Sequence, residues 1–266
     1  DWDYMVQRMA DEEAFWEPGT RNGYHMINFG WTVGELVRRV SGKSLGTFFR
    51  DEVASKTGAR FWLGLPESET VSIAPIRMYE PKPDDVPTEF TIKLMTEPDS
   101  IQHKSFLNTG GWDFNDRKGQ AAEIGGGGGL SNARGQVAMY TPLATNDGTL
   151  VSSDRLANMT MVSTATQKDA TLLIPSRFAS GFMKSMDNRG LNLGPGTSAI
   201  IGDKAFGHVG AGGSIGFADP ECGLAFSYTM NQMGGGLLLN DRGQSLIDAT
   251  YTALGYRTNV PGAWVR

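Results

Sequence analysis

The chain has few of the residues that build covalent cross-links or metal centres. Of its 266 residues, one is cysteine, Cys222, and three are histidine. One cysteine excludes an intramolecular disulfide and any multi-cysteine zinc site, and no HExxH pattern is present. We therefore expect neither a metal ion nor another cofactor. No apolar run approaches the roughly 18 residues that a membrane-spanning helix needs, so no membrane span is expected.

The chain also has only a small excess of charge of one sign. The formal net charge is -5, with acidic and basic residues interspersed, which predicts neither a nucleic-acid partner nor a membrane partner. The expected partner is a small-molecule substrate. No signal-like segment is visible, which favours a cytoplasmic location. The chain opens on Asp1-Trp2-Asp3-Tyr4 without a start methionine, and we interpret this beginning as the middle of a longer sequence.

Helical periodicity dominates the first part of the chain. Apolar residues from Trp31 to Val40 form one stripe that ends at Gly42, and Ser44 caps a second helix over Leu45 to Lys56 that ends at Gly58. Two more helices are predicted, the first from a cap at Ser131 to Ala144 with an early end at Pro142, the second from Ser153 or Asp154 to about Val162. The proline-rich residues 64–100 predict a long extended excursion, a lid over a pocket.

The second part of the chain has the features of an antiparallel sheet. Four segments are candidate strands: 178–186, 199–206, 214–218 and 224–230, the last two joined as a hairpin by a Pro/Gly turn. Asp241 caps a closing helix that stops at Gly255. The predicted fold class is α+β, an α/β sandwich in which helices flank an antiparallel sheet. The predicted domains are a mainly helical subdomain over 1–165 and a sheet with a C-terminal helix over 166–266.

Three motifs, in order along the chain, resemble one enzyme family. Pro18-Gly19-Thr20 is followed by Tyr24 and then by a helical pattern, the run Gly127-Gly128-Gly129 leads into another helix, and His208-Val209-Gly210 precedes a strand. This order is similar to that of the serine β-lactamase-like hydrolases, which include class C β-lactamases, family VIII carboxylesterases and D-aminopeptidases. The resemblance implies a β-lactamase/transpeptidase-like fold and acyl transfer through a serine nucleophile.

The resemblance also implies roles for individual residues. Tyr24 relays a proton between nucleophile, leaving group and water, and because a phenol of pKa about 10 is a poor base, neighbouring cations must lower that pKa. His208 orients this network or a substrate carboxylate. The backbone N–H of Ala211, expected on a strand edge, donates half of an oxyanion hole. The substrate is expected to contact Gly210, Gly128 and Trp112.

The sequence departs from the family pattern in the residues after the tyrosine. Lactamases of this family have Tyr-x-Asn, whereas Met26 stands here in the third position and Asn28 follows two residues later. Since the family's asparagine helps to position an amide substrate, the departure favours small esters and a carboxylesterase. Hydrolysis of β-lactams or D-amino-acid amides remains an alternative.

The Ser-x-x-Lys nucleophile motif is absent, because no lysine of this chain has Ser or Thr three residues before it. Three explanations stay open. The favoured one is that the chain is the C-terminal part of a longer hydrolase whose N-terminal part supplies the motif. The second is a truncated or degenerate homologue that binds ligands without turnover. The third is a nucleophile at Ser214, which matches Gly-x-Ser-x-Gly but is followed by a strand pattern and by no histidine.

The remaining polar candidates have simpler interpretations. His25 is expected near the site or at the surface, His103 in a solvated polar loop, and Asp113 and Asp116 in a loop with an Asx turn. If the fold lacks its N-terminal strands, a sheet edge is left unpaired. This predicts a species that is homo-oligomeric or unstable when the chain is expressed alone.

Overall fold

The computed structural model describes all residues from 1 to 266, with ten α-helices distributed along the chain. The helices are α1 (Trp2–Asp11), α2 (Phe29–Ser41), α3 (Leu45–Phe49), α4 (Ser55–Thr57), α5 (Glu89–Thr96), α6 (Ile101–Phe106), α7 (Arg117–Ala121), α8 (Ala133–Thr145), α9 (Ser153–Thr160) and α10 (Asp241–Ala253). A π-helical turn, Arg50–Ala54, joins α3 to α4, and a 3-10 turn spans Arg189–Leu191. None of these helices combines the length and apolar character that crossing a membrane requires.

All strand pairs are antiparallel and short. The strands are β1 (Phe61–Leu63), β2 (Gly129–Ser131), β3 (Thr164–Thr166), β4 (Ser176–Phe178), β5 (Phe206–Val209), β6 (Ile215–Asp219) and β7 (Leu224–Tyr228). β1 pairs with β2, β3 with β4, and β5, β6 and β7 form a three-stranded sheet in that order. Mixed helices and small antiparallel sheets confirm the predicted α+β class.

The central strand β6 shows why the sheet is covered on both faces. Alternate side chains of a strand point to opposite faces, and here Ile215 and Phe217 join a cluster with Ile247 and Tyr251 of α10. On the other face, Ala218 belongs to a cluster with Tyr140 of α8. Every residue of β6 is buried. The sheet is therefore packed between α8 and α10, as predicted for a sandwich.

The same packing bears on the predicted domains. Helix α8 lies within 1–165, yet Tyr140, Leu143 and Ala144 share a hydrophobic cluster with Phe206 and Ala218 of the sheet. A common core therefore crosses residue 165. The division into a helical subdomain and a sheet domain stays a prediction.

Several local predictions are confirmed by the helix ends. Gly42 and Gly58 adopt the left-handed conformation that ends α2 and α4, and the Ser44 hydroxyl accepts a hydrogen bond from the Thr47 N–H. These ends depend on the nearest few residues, which is why the sequence predicts them. The stripe on α2 is helical as predicted, but Leu36 and Val40 are exposed.

Other caps differ from prediction by one residue. Asn132 rather than Ser131 caps α8, Ser152 rather than Ser153 or Asp154 caps α9, and Asn240 rather than Asp241 caps α10. Ser131 is instead the last residue of β2. Pro142 does not end α8, which continues to Thr145. Proline lacks one N–H, so it removes one hydrogen bond of the helix, and here the final residues of the helix follow it.

Two larger predictions are wrong. Residues 64–100 are not extended throughout, because Thr88 caps helix α5 over Glu89–Thr96. The strands predicted at 178–186 and 199–206 are mostly irregular. Single bridges remain at Met183, which pairs with both Phe178 and Gly207, and at Met186 with Ala199. Most residues of both segments are buried, but burial in a core does not by itself require a continuous ladder.

Candidate active site

Tyr24 lies in the loop before α2 and is held there by a second segment of the chain. Its backbone N–H donates to Oδ1 of Asp169 at 3.0 Å, and the carbonyl of Asn22 accepts from the Ala170 N–H at 2.9 Å. Gly23, between them, passes so close to Trp16 and Thr171 that a Cβ there would lie within 3.1 Å of both side chains. The position of Tyr24 is thus set by contacts remote in sequence.

The structure brings Tyr24 and His208 together, as the resemblance predicted. Their ring centroids are 5.7 Å apart with an interplanar angle of 27°. Phe178 of β4 completes the group, at 5.8 Å from Tyr24 and 6.1 Å from His208. Met183 connects Phe178 to His208. It forms a bridge with Phe178, and its backbone exchanges hydrogen bonds with Gly207, one residue before His208. The two predicted catalytic side chains therefore share one aromatic cluster.

The environment of Tyr24 keeps its phenol protonated. Burial, followed by the negative charge of Asp169, raises the pKa of Tyr24 to about 12. The Tyr24 hydroxyl makes no hydrogen bond within the chain. Every buried side-chain polar atom has a partner, so a hydroxyl without one is not fully buried and can be reached from the site. Within this chain the phenol is therefore a free proton donor, and a cation from elsewhere would be needed to make it a base at neutral pH.

His208 does not supply that cation. Desolvation lowers the pKa of its imidazole below the ordinary value, and the hydrogen bond to Val209 opposes this only in part. In that bond Nδ1 lies 2.6 Å from the Val209 carbonyl oxygen. A carbonyl oxygen accepts and cannot donate, so Nδ1 carries the proton and Nε2 of the neutral ring keeps its lone pair.

Ala211 lies in a tight turn rather than on a strand edge, which corrects that part of the prediction. The turn between β5 and β6 is closed by hydrogen bonds from the Gly210 N–H to the Ser214 carbonyl at 2.7 Å and from the Gly213 N–H to the Gly210 carbonyl at 3.0 Å. Gly212 and Gly213 both have positive φ. Ala211 is exposed, and its own N–H is outside both turn bonds and free to donate to a substrate oxygen.

The same turn decides the interpretation of Ser214. A nucleophile elbow requires a strand, a sharp turn and then a helix, whereas Ser214 leads directly into strand β6. Its carbonyl closes the turn. A Cβ on Gly210 would come within 2.2 Å of the Ser214 Oγ atom. The close approach explains glycine at position 210, and Ser214 is a turn residue.

Gly128 and Trp112 form a separate group. The Gly128 N–H donates to the Ile124 carbonyl at 2.6 Å, while the Trp112 ring lies over Gly127, with 3.4 Å to a Cβ built there. These glycines belong to a run over 125–129. The run also packs on the loop after Tyr24, since a Cβ on Gly126 would lie 2.5 Å from the carbonyl oxygens of Met26 and Ile27. The run thus touches the tyrosine loop, but no hydrogen bond or aromatic contact joins Gly128 or Trp112 to Tyr24 or His208.

The excursion before α5 approaches the Ala211 turn from another side. Arg77 forms a parallel bridge with Gln232, and Tyr79 packs on Gly235. The residues after β7 in turn reach the Ala211 turn, because the Gly234 N–H donates to the Gly212 carbonyl at 2.9 Å. The excursion therefore borders the turn through residues that follow β7.

The remaining polar candidates lie where the sequence predicted, with the exception of His103. His25 is exposed, as expected. Asp113 forms an Asx turn with the Asn115 N–H at 2.8 Å, and Asp116 caps α7. His103 does not lie in a solvated loop: it is half-buried in α6, with Nδ1 at 2.9 Å from the Leu94 carbonyl oxygen.

Two residues of the site were not among the predicted ones, Asp169 and Phe178. Asp169 is fully buried and touches Tyr24 only after the chain has folded. Its sequence neighbourhood, Lys168-Asp169-Ala170-Thr171, is typical of a surface turn, and no short motif distinguishes it. Phe178 lies in an apolar segment where many residues pack in the core.

The fold is that of one class of protein, the β-lactamase and penicillin-binding-protein-like hydrolases, since solved structures of this class superimpose on the chain with TM-scores of 0.73. The family model described as Beta-lactamase matches residues 1–249. The chain therefore belongs to the Beta-lactamase family.

Individual relatives include esterases. "Esterase/beta-lactamase LipL" of Mycobacterium tuberculosis (strain ATCC 25618 / H37Rv) is 29% identical over 235 residues, which cover 83% of this chain and 51% of the relative. The crystal structure of a family VIII carboxylesterase is 35% identical with a TM-score of 0.73, covering 95% of this chain and 64% of that one. EstA from Arthrobacter nitroguajacolicus Rue61a is 27% identical with a TM-score of 0.77, covering 96% and 65%.

The coverage of these relatives is uneven. The chain spans about half the length of the curated relative and under two thirds of the solved ones. The catalytic roles of Tyr24, His208 and Ala211, and the substrate contacts of Gly210, Gly128 and Trp112, stay predictions.

Proposed function

We propose that this chain contributes the tyrosine–histidine part of a serine hydrolase that cleaves small carboxylic esters through an acyl-enzyme. The observation that carries the proposal is the contact between Tyr24 and His208, whose rings stack at 5.7 Å. The nucleophile is a serine outside these 266 residues, because the chain has no Ser-x-x-Lys motif and Ser214 occupies a turn that leads into a strand.

In the proposed reaction Tyr24 carries a proton and Ala211 stabilises a charge. With Tyr24 ionised by a cation that accompanies the nucleophile, the serine oxygen attacks the ester carbonyl carbon, and its proton passes to the Tyr24 phenolate oxygen. The C–O bond to the alcohol then breaks, and the departing alkoxide takes that proton from Tyr24. Water repeats the sequence on the acyl-enzyme and releases the acid. The N–H of Ala211 donates to the carbonyl oxygen as negative charge develops there.

The pKa of Tyr24 supports a nucleophile that arrives with its own cation. A pKa of about 12 leaves very little phenolate at neutral pH, and neutral His208 does not change this. A lysine ammonium beside the phenol would favour the phenolate, since an opposite charge within about 4–6 Å stabilises the ionised form. The Lys of a Ser-x-x-Lys element has this chemistry.

Esters are favoured over amides on the residues after the tyrosine. Met26 stands where lactamases of this family have asparagine, and Asn28 is an exposed residue at the start of α2. The names of the relatives agree, since one is an esterase/beta-lactamase and another a family VIII carboxylesterase. A ligand-binding homologue without turnover is the second candidate, favoured by the missing motif.

The test combines a covalent probe with turnover. The purified 266-residue chain is incubated with a fluorophosphonate, and its intact mass is measured. We expect no serine adduct, whereas an adduct on Ser214 would overturn the placement of the nucleophile. The protein with the sequence that its gene places upstream is then assayed with p-nitrophenyl butyrate and nitrocefin.

We expect ester hydrolysis, and we expect Tyr24→Phe to lower kcat by about 10²–10⁴-fold. Tyr4→Phe, at an exposed position of α1, is the matched control and should leave kcat unchanged. Binding of a substrate analogue without any hydrolysis would favour the second candidate.

A further inference from the structure

Asp169 is a buried carboxylate built around the backbone of Tyr24. The residue has no exposed surface, and its Oδ1 atom accepts three backbone hydrogen bonds. These come from the N–H groups of Tyr24 at 3.0 Å, Thr171 at 2.9 Å and Leu172 at 2.9 Å. One oxygen atom thus ties the tyrosine loop to a turn that lies far along the chain.

The second carboxylate oxygen makes the same link through side chains. Oδ2 accepts from the Asn22 amide at 2.8 Å and from the Ser176 hydroxyl at 3.1 Å. A buried carboxylate is costly unless its lone pairs are occupied, and the five hydrogen bonds together provide that compensation. Asn22 is two residues before Tyr24, so both oxygens hold the same loop.

The turn that carries Asp169 is itself constrained. The Asp169 N–H donates to the Ile174 carbonyl, and the Leu173 N–H donates to the Asp169 carbonyl, both at 2.9 Å. Leu173 has a φ of 60°, a left-handed conformation that is unfavourable for a bulky residue. Strain of this kind persists where the surrounding contacts demand it, and here they converge on Asp169.

We propose that Asp169 is a positioning residue for catalysis: it anchors the Tyr24 backbone so that the phenol stacks on His208, and it places a negative charge near that phenol. The inference rests on the proposed function, because it assigns Asp169 a role through Tyr24. It names no contact of Asp169 with substrate.

A carboxylate that only stabilises the fold would have the same burial, and the chain offers a matched example. Asp219 is equally buried and accepts hydrogen bonds from the Tyr251 hydroxyl at 2.7 Å and the Glu221 N–H at 3.0 Å. It lies three residues along β6 from Gly216, the partner of His208, which is about 10 Å along the strand. Asp219→Asn is therefore the control for a buried carboxylate outside the site.

The first experiment follows the ionisation of Tyr24 directly. The protein is labelled with ¹³Cζ-tyrosine, and the Tyr24 signal among the seven tyrosines is assigned by Tyr24→Phe. At pH 11 a phenol with a pKa of about 12 is about one tenth ionised. Removal of a neighbouring negative charge lowers a phenol pKa by roughly one unit, so about half should be ionised in Asp169→Asn. Asp219→Asn should match the unsubstituted protein.

An unchanged Tyr24 signal in folded Asp169→Asn would overturn the inference. If that variant does not fold, amide hydrogen exchange on the unsubstituted protein replaces it. The Tyr24 N–H should exchange as slowly as the Thr171 and Leu172 N–H groups that share Oδ1. Exchange of the Tyr24 N–H at the rate of an open loop would contradict the anchoring.

The second experiment is a double-mutant cycle on ester hydrolysis by the protein with its upstream sequence. Asp169→Ala should lower kcat about tenfold or more with little change in KM, and it should cost nothing further in a Tyr24→Phe background. An equal loss in both backgrounds would mean that Asp169 acts on stability alone. Absence of all hydrolysis would contradict the proposed function, while the Tyr24 titration would still test Asp169.

Discussion

The imidazole of His208 donates its Nδ1 proton to the carbonyl oxygen of Val209, the next residue in its own strand, at 2.6 Å. This bond orients the ring so that it stacks on Tyr24 and leaves Nε2 as an acceptor. A histidine of this kind is a neutral partner of the tyrosine.

The first prediction concerns the pH dependence of stability. The pKa of His208 is lowered in the fold, so the unfolded chain binds more protons below the ordinary histidine value of about 6.5. The stabilisation is complete above that pH and is lost as the pH falls through it towards the lowered value. Thermal unfolding between pH 8 and 5 should show this slope, and His208→Gln should reduce it. His25→Gln, at an exposed position, should leave the slope unchanged; identical slopes in both variants would contradict the prediction.

The second prediction compares two adjacent glycines. Gly126→Ala places a Cβ 2.5 Å from the carbonyl oxygens of Met26 and Ile27, whereas Gly127→Ala meets nothing closer than 3.4 Å. Because backbone must move in the first case, we expect a loss of about 1–3 kcal/mol in the free energy of unfolding. The second variant should lie within about 0.5 kcal/mol of the unsubstituted protein. Urea unfolding measures both, and equal values would show that the glycine run does not pack on the tyrosine loop.

The third prediction tests the polar centre under the sheet. The Tyr251 hydroxyl donates to Asp219 at 2.7 Å and accepts from the Gly202 N–H at 2.8 Å, and all three groups are buried. Tyr251→Phe leaves a carboxylate oxygen and an amide without partners, which should cost about 2–4 kcal/mol. Tyr79→Phe removes a hydroxyl that donates to Asp85 at the surface and should cost less than about 1 kcal/mol. A smaller loss for Tyr251→Phe than for Tyr79→Phe, by calorimetry, would refute this account.

The fourth prediction concerns the docking of α1 on α2. Glu35 accepts from the Trp2 indole N–H at 2.8 Å and from Arg38 and Arg39 at 2.7 and 2.8 Å. Hydrogen bonds from Arg38, Arg39 and Trp2 lower the pKa of Glu35 to about 2. The stabilisation is therefore present above the ordinary glutamate pKa of 4.5 and is lost as the pH falls towards 2.

Hydrogen exchange of the α1 amides measures this docking. Glu35→Gln should lower the protection of these amides, relative to their intrinsic exchange rates, at neutral pH. Acidification below pH 4.5 should lower the same protection in the unsubstituted protein. Glu52→Gln is the control, because Glu52 pairs with Lys56 at 2.9 Å and has no bond to α1. If α1 exchanges equally fast in both variants, Glu35 does not hold it.

Predictions from sequence succeeded where the cause is local. The helix ends at Gly42 and Gly58 and the cap at Ser44 each depend on a few neighbouring residues. The hairpin of β6 and β7 also follows from two short apolar segments on either side of a Pro/Gly turn. The caps predicted at Ser131 and Asp241 were wrong by one residue because an asparagine next to each could cap equally well.

Predictions failed where burial could be met in more than one way. The apolar segments 178–186 and 199–206 had the composition of strands, but they lie in the core through single bridges and side-chain packing. Within 64–100, the short helix α5 was hidden among prolines and charged residues. Hydrophobic content predicts that such segments are inside, and contacts remote in sequence decide their backbone.

The sequence by itself was enough to predict the family and the fold class, both confirmed, and to select Tyr24 and His208 as candidates, because these follow from motif order and residue type. The tertiary structure alone decided how the site is held. The Asp169 carboxylate, the Phe178 ring and the protonation states of the phenol and imidazole all depend on groups that meet only in the folded chain. Burial and charge act through space, so the chemistry of Tyr24 is set by residues that no neighbouring sequence reveals.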